Sequence, residues 1–537
     1  MASSSVPDRP RRLPVNTADF LELSAAVVPD RAALICEDTV KTYADLQAEV
    51  TRLGNALQGL GLTRGDHVGV MSVNSAEYVV IYYACAKIGV TFVPLNYRAK
   101  REELTYMINT VEAKAIFVSD RYQDLVSAIK GDCPTVQNYI ALEHDVALGQ
   151  QHYRDLMASG SDDFLWAEVD DKDPTVIIYT SGTTAMPKGV QVTYQDLTVY
   201  VTNTMSPADP EAAHEKTLLS VPLFHIAGAT TMVSSVWGGR TLVILPQFSP
   251  AAWIDAVDGH GITHSMVVPT MLKRTMEDEH FSAFKGDTLQ LLTYGAAPMP
   301  YDVIRAAVDV FPQNVGFMNA YGQTESTSSI SFLGPDDHRL DGTPDEISVK
   351  EHRLRSVGKV MPDIEVLIMD PADQVVGTGE EGEICVRGDR IMAGYYKQEE
   401  ETASAIRDGI LHTGDVGYLD DEGYLFITGR TKDLIIRGGE NIAPGEIEQV
   451  LEGHPAVAEA AVIGAPDLEW GEVVKAVVIL HEGESLTLDA AVAHTKSQLA
   501  SYKAPAYLAV VDSLPRNHMG KVLKNDLRKT HGEAKNG

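Results

Sequence analysis

Residues Tyr179-Thr180-Ser181-Gly182-Thr183-Thr184-Ala185-Met186-Pro187-Lys188-Gly189 form a hydroxyl- and glycine-rich stretch ending in a lysine, directly after apolar Val176, Ile177 and Ile178. Such a loop suits the phosphates of a nucleotide. Amides and hydroxyls donate to phosphate oxygens, small residues let the backbone come close, and the lysine supplies positive charge. It is not a Walker A loop: Lys188 is followed by Gly189 and Lys521 by Val522, so neither lysine precedes the serine or threonine that motif needs.

Further polar stretches fall behind predicted strands. Asn319-Ala320-Tyr321-Gly322-Gln323-Thr324-Glu325 follows a strand expected over 315–318, where open sheets usually meet their ligands. Gly295-Ala296-Ala297-Pro298 follows a strand expected over 289–293. Thr413-Gly414-Asp415 puts a carboxylate behind a glycine, able to accept from both hydroxyls of a ribose, and Gly429-Arg430-Thr431-Lys432-Asp433 comes next. Arg437-Gly438-Gly439-Glu440 and Pro515-Arg516-Asn517-His518-Met519-Gly520-Lys521 complete the set, with His225 inside Leu223-Phe224-His225-Ile226-Ala227-Gly228. Each pattern alone is common in surface turns.

In order and spacing, from Thr42-Tyr43 to Lys521, these stretches resemble the adenylate-forming superfamily of acyl-CoA synthetases, nonribosomal adenylation domains and luciferases. The chain is most similar to a bacterial fatty-acid or related carboxylic acid–CoA ligase. The resemblance implies that Thr180, Ser181, Gly182, Thr183, Thr184 and Lys188 hold ATP phosphates and that Gly295, Ala296 and Ala297 wall the adenine. Asn319, Ala320, Tyr321, Gly322, Gln323 and Thr324 form the second nucleotide motif, with Tyr321 on adenine and Thr324 at the α-phosphate. Thr184 and Glu325 are implied ligands of Mg²⁺, a cation that prefers hard oxygen donors. Asp415 and Arg430 take the ribose, Lys521 is the catalytic lysine, and Lys432 is the hinge between two domains. Arg437, Gly438, Gly439 and Glu440 line the path of coenzyme A, while His225, Gly295 and Ser329 border the acyl substrate. A histidine at 225, where amino-acid-activating relatives carry aspartate, implies a carboxylic acid without an α-amino group. Two positions depart from the pattern: Ala185 replaces a glycine and Ala443 replaces a frequent aromatic residue.

The implied reaction has two halves, carboxylate plus ATP giving acyl-AMP and pyrophosphate, then CoA giving acyl-CoA and AMP. Two alternatives stay open: a free-standing ligase that loads a carrier protein, and a catalytically silent nucleotide-binding regulator. The acyl group, whether medium-chain, aromatic or alicyclic, is not legible.

The elements that must position these residues read as α/β. Thr42 with Asp45 predicts a helix start, and Leu46, Val50, Leu53, Leu57 and Leu60 form one stripe. A strand over 67–73, a helix over 76–87 and a strand over 90–93 make one strand-helix-strand unit. Strands over 218–221, 242–245 and 265–268 and helices over 270–279 and 301–311 continue the alternation. From about residue 364 the pattern turns to hairpins. The last segment reads as a helix over 445–451, strands over 457–463 and 473–480, and a helix over 488–499. The expected architecture is a large N-terminal AMP-binding domain over 1–431, with α/β sheets and a β-rich subdomain, and a small mobile α+β C-terminal domain over 432–537.

Composition bounds the rest. A chain of 537 residues exceeds one hydrophobic core. A net charge of −31 argues against nucleic-acid binding and makes the few cations in glycine-rich loops more informative. Cys36, Cys85, Cys133 and Cys385 form no CxxC or metal spacing and read as reduced structural thiols. No run reaches transmembrane length and residues 1–12 carry no apolar stretch of signal type, so the expected location is cytoplasmic. Oligomeric state is open, with a homodimer compatible with the sequence. Trp237 and Trp470 read as packing residues.

Overall fold

The computed structural model describes residues 15–143, 151–180, 186–437, 440–516 and 521–535. It has a mixed α/β fold whose chain separates into two compact units: Met1–His214 with Pro222–Pro246 and Met392–Glu399, and Glu215–Val221 with Gln247–Ile391 and Glu400–Gly537.

The first unit is built on a sheet in the order Gln151–His152, Asn138–Ala141, Ala115–Val118, His67–Met71, Thr91–Pro94, Pro174–Thr180, Lys188–Thr193. All neighbours run parallel except the last pair. Parallel strands need crossover helices, and that is why the sequence alternates here. The helix Ala76–Lys87, buried along almost its whole length, joins His67–Met71 to Thr91–Pro94. The helix Tyr43–Gly59 starts with the capping box read from sequence, the Thr42 hydroxyl accepting from the Asp45 amide and the Asp45 carboxylate accepting from the Thr42 amide. Leu46, Val50, Leu53 and Leu57 face inward from it. A smaller group, the hairpin Ala32–Cys36 and Thr39–Thr42, pairs with the parallel strand Thr241–Ile244.

In the second unit, Lys216–Leu219, His264–Val267, Leu291–Gly295 and Gly316–Gln323 run parallel, and Ser328–Leu333 and Lys359–Val360 extend them antiparallel. The hairpin-rich stretch forms an antiparallel sheet of Ile364–Met369, Gly382–Gly388 and Ile410–Leu419, with Ile406–Arg407 and Leu425–Arg430 both on the last strand. Residues beyond it carry their own sheet, Glu440–Ile442, Ile435–Arg437, Gly471–Leu480 and Val457–Asp467, with Tyr507–Val510 parallel to Gly471–Leu480. One face of this sheet buries Ile447 and Leu451 of the helix Pro444–Glu452 and Ala491 of Leu488–Lys496. The other face buries Leu527 of Lys524–His531.

Two expectations change. The strand expected to stop at residue 318 runs to Gln323, because residues 319–323 pair with Ser328–Leu333 on the far side. Trp470 is no packing residue: it is 44% exposed, with the Arg437 guanidinium 5.4 Å from its ring centre. Trp237 does pack, its ring centre 4.8 Å from that of Phe20 and its indole N–H on the Met205 carbonyl.

Candidate active site

Asp415 is the centre of a charged cluster in the second unit. It sits in the strand Ile410–Leu419 just after Gly414, whose φ of +72° opens the ladder there. Its carboxylate is nearly buried and engaged on both oxygens, by the Tyr321 hydroxyl at 2.9 Å and the Arg430 Nε at 2.8 Å. Arg430 reaches it because Asp415 and Arg430 are cross-strand partners. Burial, followed by the Asp415 charge, holds the Tyr321 phenol far above its ordinary value, so it stays a donor.

Lys521 lies in the same field. Burial pushes its ammonium down to about 8, Arg430 and Lys432 add repulsion, and Asp415 and Asp433 oppose it. Lys432 is exposed in the short turn Thr431–Asp433 between two strands, and neighbouring Asp433 is fixed by Arg528 at 3.0 Å.

Tyr321 and Thr324 are brought to one strand and its terminal turn. Asn319, Ala320, Tyr321, Gly322 and Gln323 lie within Gly316–Gln323, and Thr324 and Glu325 begin the turn Thr324–Ser326. Gly322 is required by close approach: a Cβ there would stand 1.8 Å from the Ser328 carbonyl oxygen. Thr324 is buried and Glu325 half-buried. Gly295 ends its strand opposite Ala320, two residues later than the sequence predicts, and Ala296 follows at φ +64° with Ala297 next to it. Ser329 is buried opposite Gly322.

In the first unit Thr180 and Lys188 are cross-strand partners at the connected end of a hairpin, the last pair before residues 181–187, and the Lys188 ammonium lies 4.7 Å from the Tyr395 ring centre. Ser181, Gly182, Thr183, Thr184 and Ala185 fall outside the described residues, as do Gly438 and Gly439 and the side chain of Glu440. His225 stands at the N-terminal boundary of the helix Ile226–Trp237, its ring 4.3 Å from Phe224, which in turn meets Tyr97 edge-on. Arg437 donates to the Tyr502 carbonyl and pairs in register with Glu440.

Sequence reasoning missed the group behind Asp415. Glu383 accepts from the Gly414 amide at 3.0 Å and pairs with His412 at 2.9 Å, while Cys385 Sγ lies 3.3 Å from His412 Nδ1. Among the described residues Glu383, Cys385 and His412 form the one set with metal-ligand donors within 4.8 Å of one another. The cation is already supplied: Arg407 contacts His412 Nδ1 at 2.5 Å and Asp373 at 3.0 Å. The pairing Cys385–His412 across two strands makes this group, so no local spacing could reveal it. All four cysteines are buried and unbridged.

A buried carboxylate held by a guanidinium and a phenol, with a down-shifted lysine in its field, marks a candidate functional site on this α/β frame. Residues 21–396 match the AMP-binding enzyme family, and residues 446–521 match the AMP-binding enzyme C-terminal domain; the chain belongs to this family. A 2-succinylbenzoate–CoA ligase of Bacillus pumilus is 35% identical over 511 residues, 94% of this chain and 96% of that protein. A fatty acid–[acyl-carrier-protein] ligase of Streptomyces coeruleorubidus is 31% identical over 504 residues, 93% of each. The solved o-succinylbenzoate CoA synthetase of Bacillus subtilis, in complex with its acyl-adenylate intermediate, superposes with a TM-score of 0.79 at 30% identity, covering 95% of this chain and 97% of that one. Among the described residues no helix is long and apolar enough to cross a membrane.

Proposed function

We propose that this chain is an ATP-dependent carboxylic acid–CoA ligase. The observation that carries the reading is the convergence of Tyr321, Asp415 and Arg430 with Lys521 in their field. A carboxylate is a poor acyl donor because oxide would have to leave. Its attack on the α-phosphorus of ATP expels pyrophosphate and gives a mixed anhydride whose leaving group is AMP. The CoA thiol then adds to that carbonyl, loses its proton and releases AMP, leaving the thioester.

The residues divide the tasks of this scheme. Asp415 and Arg430 hold the ribose, and Gly295, Ala296, Ala297 and Tyr321 hold the adenine. Thr180 and Lys188 flank the phosphates. Lys521, mostly protonated at neutral pH, offsets negative charge as the carboxylate meets phosphorus. Glu325, a half-buried carboxylate in the turn Thr324–Ser326, is a hard-oxygen donor that fits Mg²⁺, with Thr184 the implied further ligand, and Thr324 next to it contacts the α-phosphate. Bound there, Mg²⁺ would neutralise phosphate charge. His225 borders the carboxylate of the acid, with Gly295 and Ser329 along the acyl group. Lys432 is the hinge about which 432–537 turns between the two half-reactions, bringing Arg437, Gly438, Gly439 and Glu440 to CoA. Four buried, unbridged thiols support a cytoplasmic setting, where ATP and CoA are available.

A second reading, transfer to a carrier-protein thiol, is favoured by the carrier-protein ligase among the relatives. Incubating the protein with ATP, Mg²⁺ and a panel of fatty, aryl and alicyclic acids, then offering CoA or a phosphopantetheinylated carrier, decides between them. Acyl-CoA as the main product supports the proposal; acyl transfer to the carrier alone overturns the choice of CoA.

A further inference from the structure

Arg390 belongs to none of the stretches with chemical promise, yet among the described residues it is the largest wholly buried cation, at 0% exposure. All its N–H groups are engaged. Nε donates to Asp363 at 2.6 Å, one terminal nitrogen donates to the carbonyls of Ser326 at 2.6 Å and Thr327 at 3.3 Å, and the other to the Ser329 carbonyl at 2.6 Å, with Met361 Sδ at 3.2 Å and the second Asp363 oxygen at 3.5 Å.

Those three carbonyls belong to an unusual piece of backbone. The turn Thr324–Ser326 is followed by two successive left-handed residues, Thr327 at φ 50° and Ser328 at φ 77°, neither of them glycine. Side-chain-bearing residues adopt this conformation only where the surroundings impose it. Local bonds contribute, since the Thr327 amide donates to the Thr324 carbonyl at 3.0 Å and the Ser326 hydroxyl lies 2.9 Å from the Ser328 carbonyl. They leave the carbonyls of Ser326, Thr327 and Ser329 directed at one place, and a planar five-donor fork fills it in a way an ammonium cannot. Asp363 neutralises the buried charge.

We infer that Arg390 is a positioning residue: it holds the left-handed pair Thr327–Ser328 and so aims Thr324 and Glu325 at magnesium-bound nucleotide. What that segment binds rests on the ligase reading; that Arg390 holds it rests on the geometry above.

The test uses the full chain with Arg390→Lys, which keeps the charge beside Asp363 but lacks the fork, alone and with Thr327→Gly/Ser328→Gly, which removes the need for restraint. Mg²⁺-dependent binding of a non-hydrolysable ATP analogue is read by calorimetry, and acid-dependent pyrophosphate release by turnover, both below the unfolding transition. Arg390→Lys is expected to raise the Mg²⁺ needed for half-maximal analogue binding at least tenfold and to lower kcat at least tenfold. In the glycine background the same substitution should cost at least threefold less. Wild-type values in Arg390→Lys, or a defect of equal size in both backgrounds, overturns the inference. Should Arg390→Lys fail to fold alone, folding and analogue binding in the glycine background support it, and failure in both backgrounds overturns it. Pyrophosphate release by the unsubstituted protein tests the ligase reading separately, because analogue binding is read without turnover.

Discussion

The most quantitative consequence concerns Lys521 and pH. In the fold its ammonium titrates at about 8 rather than 10.5, because burial and the cations Arg430 and Lys432 outweigh Asp415 and Asp433. The protonated form is the working one, so activity is present below that value and lost as pH rises through it. The protonated share falls from about nine-tenths at pH 7 to about one-tenth at pH 9, so kcat/KM for ATP in the adenylation half-reaction should fall about tenfold over that interval. A lysine at its ordinary value would lose almost nothing there. The assay is acid-dependent pyrophosphate release against pH, for the wild type and for Lys521→Arg, whose guanidinium stays charged throughout. The arginine variant should start lower and show no descending limb. A flat wild-type profile to pH 9.5, or the same limb in Lys521→Arg, would refute the assignment of this titration to Lys521.

Three further outcomes follow from individual contacts. Asp415→Asn removes a charged acceptor, and at about 1.5–3 kcal/mol per charge-assisted bond the KM for ATP should rise roughly 10- to 150-fold; an unchanged KM would remove the ribose from this residue. Gly322→Ala places a Cβ 1.8 Å from a backbone oxygen, so the unfolding midpoint should drop, with a cost of about 1–3 kcal/mol or more, and nucleotide binding should weaken with it; wild-type values for both would contradict the close approach. Lys432→Pro fixes φ at the hinge, so pyrophosphate release should persist while thioester formation falls at least tenfold; undiminished thioester formation would rule out the domain rotation.

Much of the frame was legible because local chemistry and tertiary placement agree. Thr42 and Asp45 announced a helix that starts where they stand, and the helix Ala76–Lys87 has the bounds its sequence predicts. The sequence predicts the strand Gly316–Gln323 only to residue 318 because Asn319, Tyr321, Gly322 and Gln323 offer no apolar alternation; only the antiparallel partner Ser328–Leu333 makes them a strand. The family motifs named Tyr321, Asp415, Arg430 and Lys521, and the fold brings these four into one field from four separate stretches of chain. Two supporting groups carry no local signal. Glu383 and His412 meet behind Gly414 through strand register, and Arg390 reads as one more charged residue until the left-handed carbonyls it serves are seen. Exposure misled in the other direction at Trp470, where an aromatic residue suggested packing and the chain instead sets it beside Arg437 at the surface.

In this scheme an organic acid is bonded to AMP with help from Lys521. Acid-dependent exchange of labelled pyrophosphate into ATP, measured without CoA for the wild type and Lys521→Ala, tests it most directly. Exchange that requires the acid and falls at least a hundredfold in Lys521→Ala is the predicted result, and ATP binding with no acid-stimulated exchange in the wild type would contradict it.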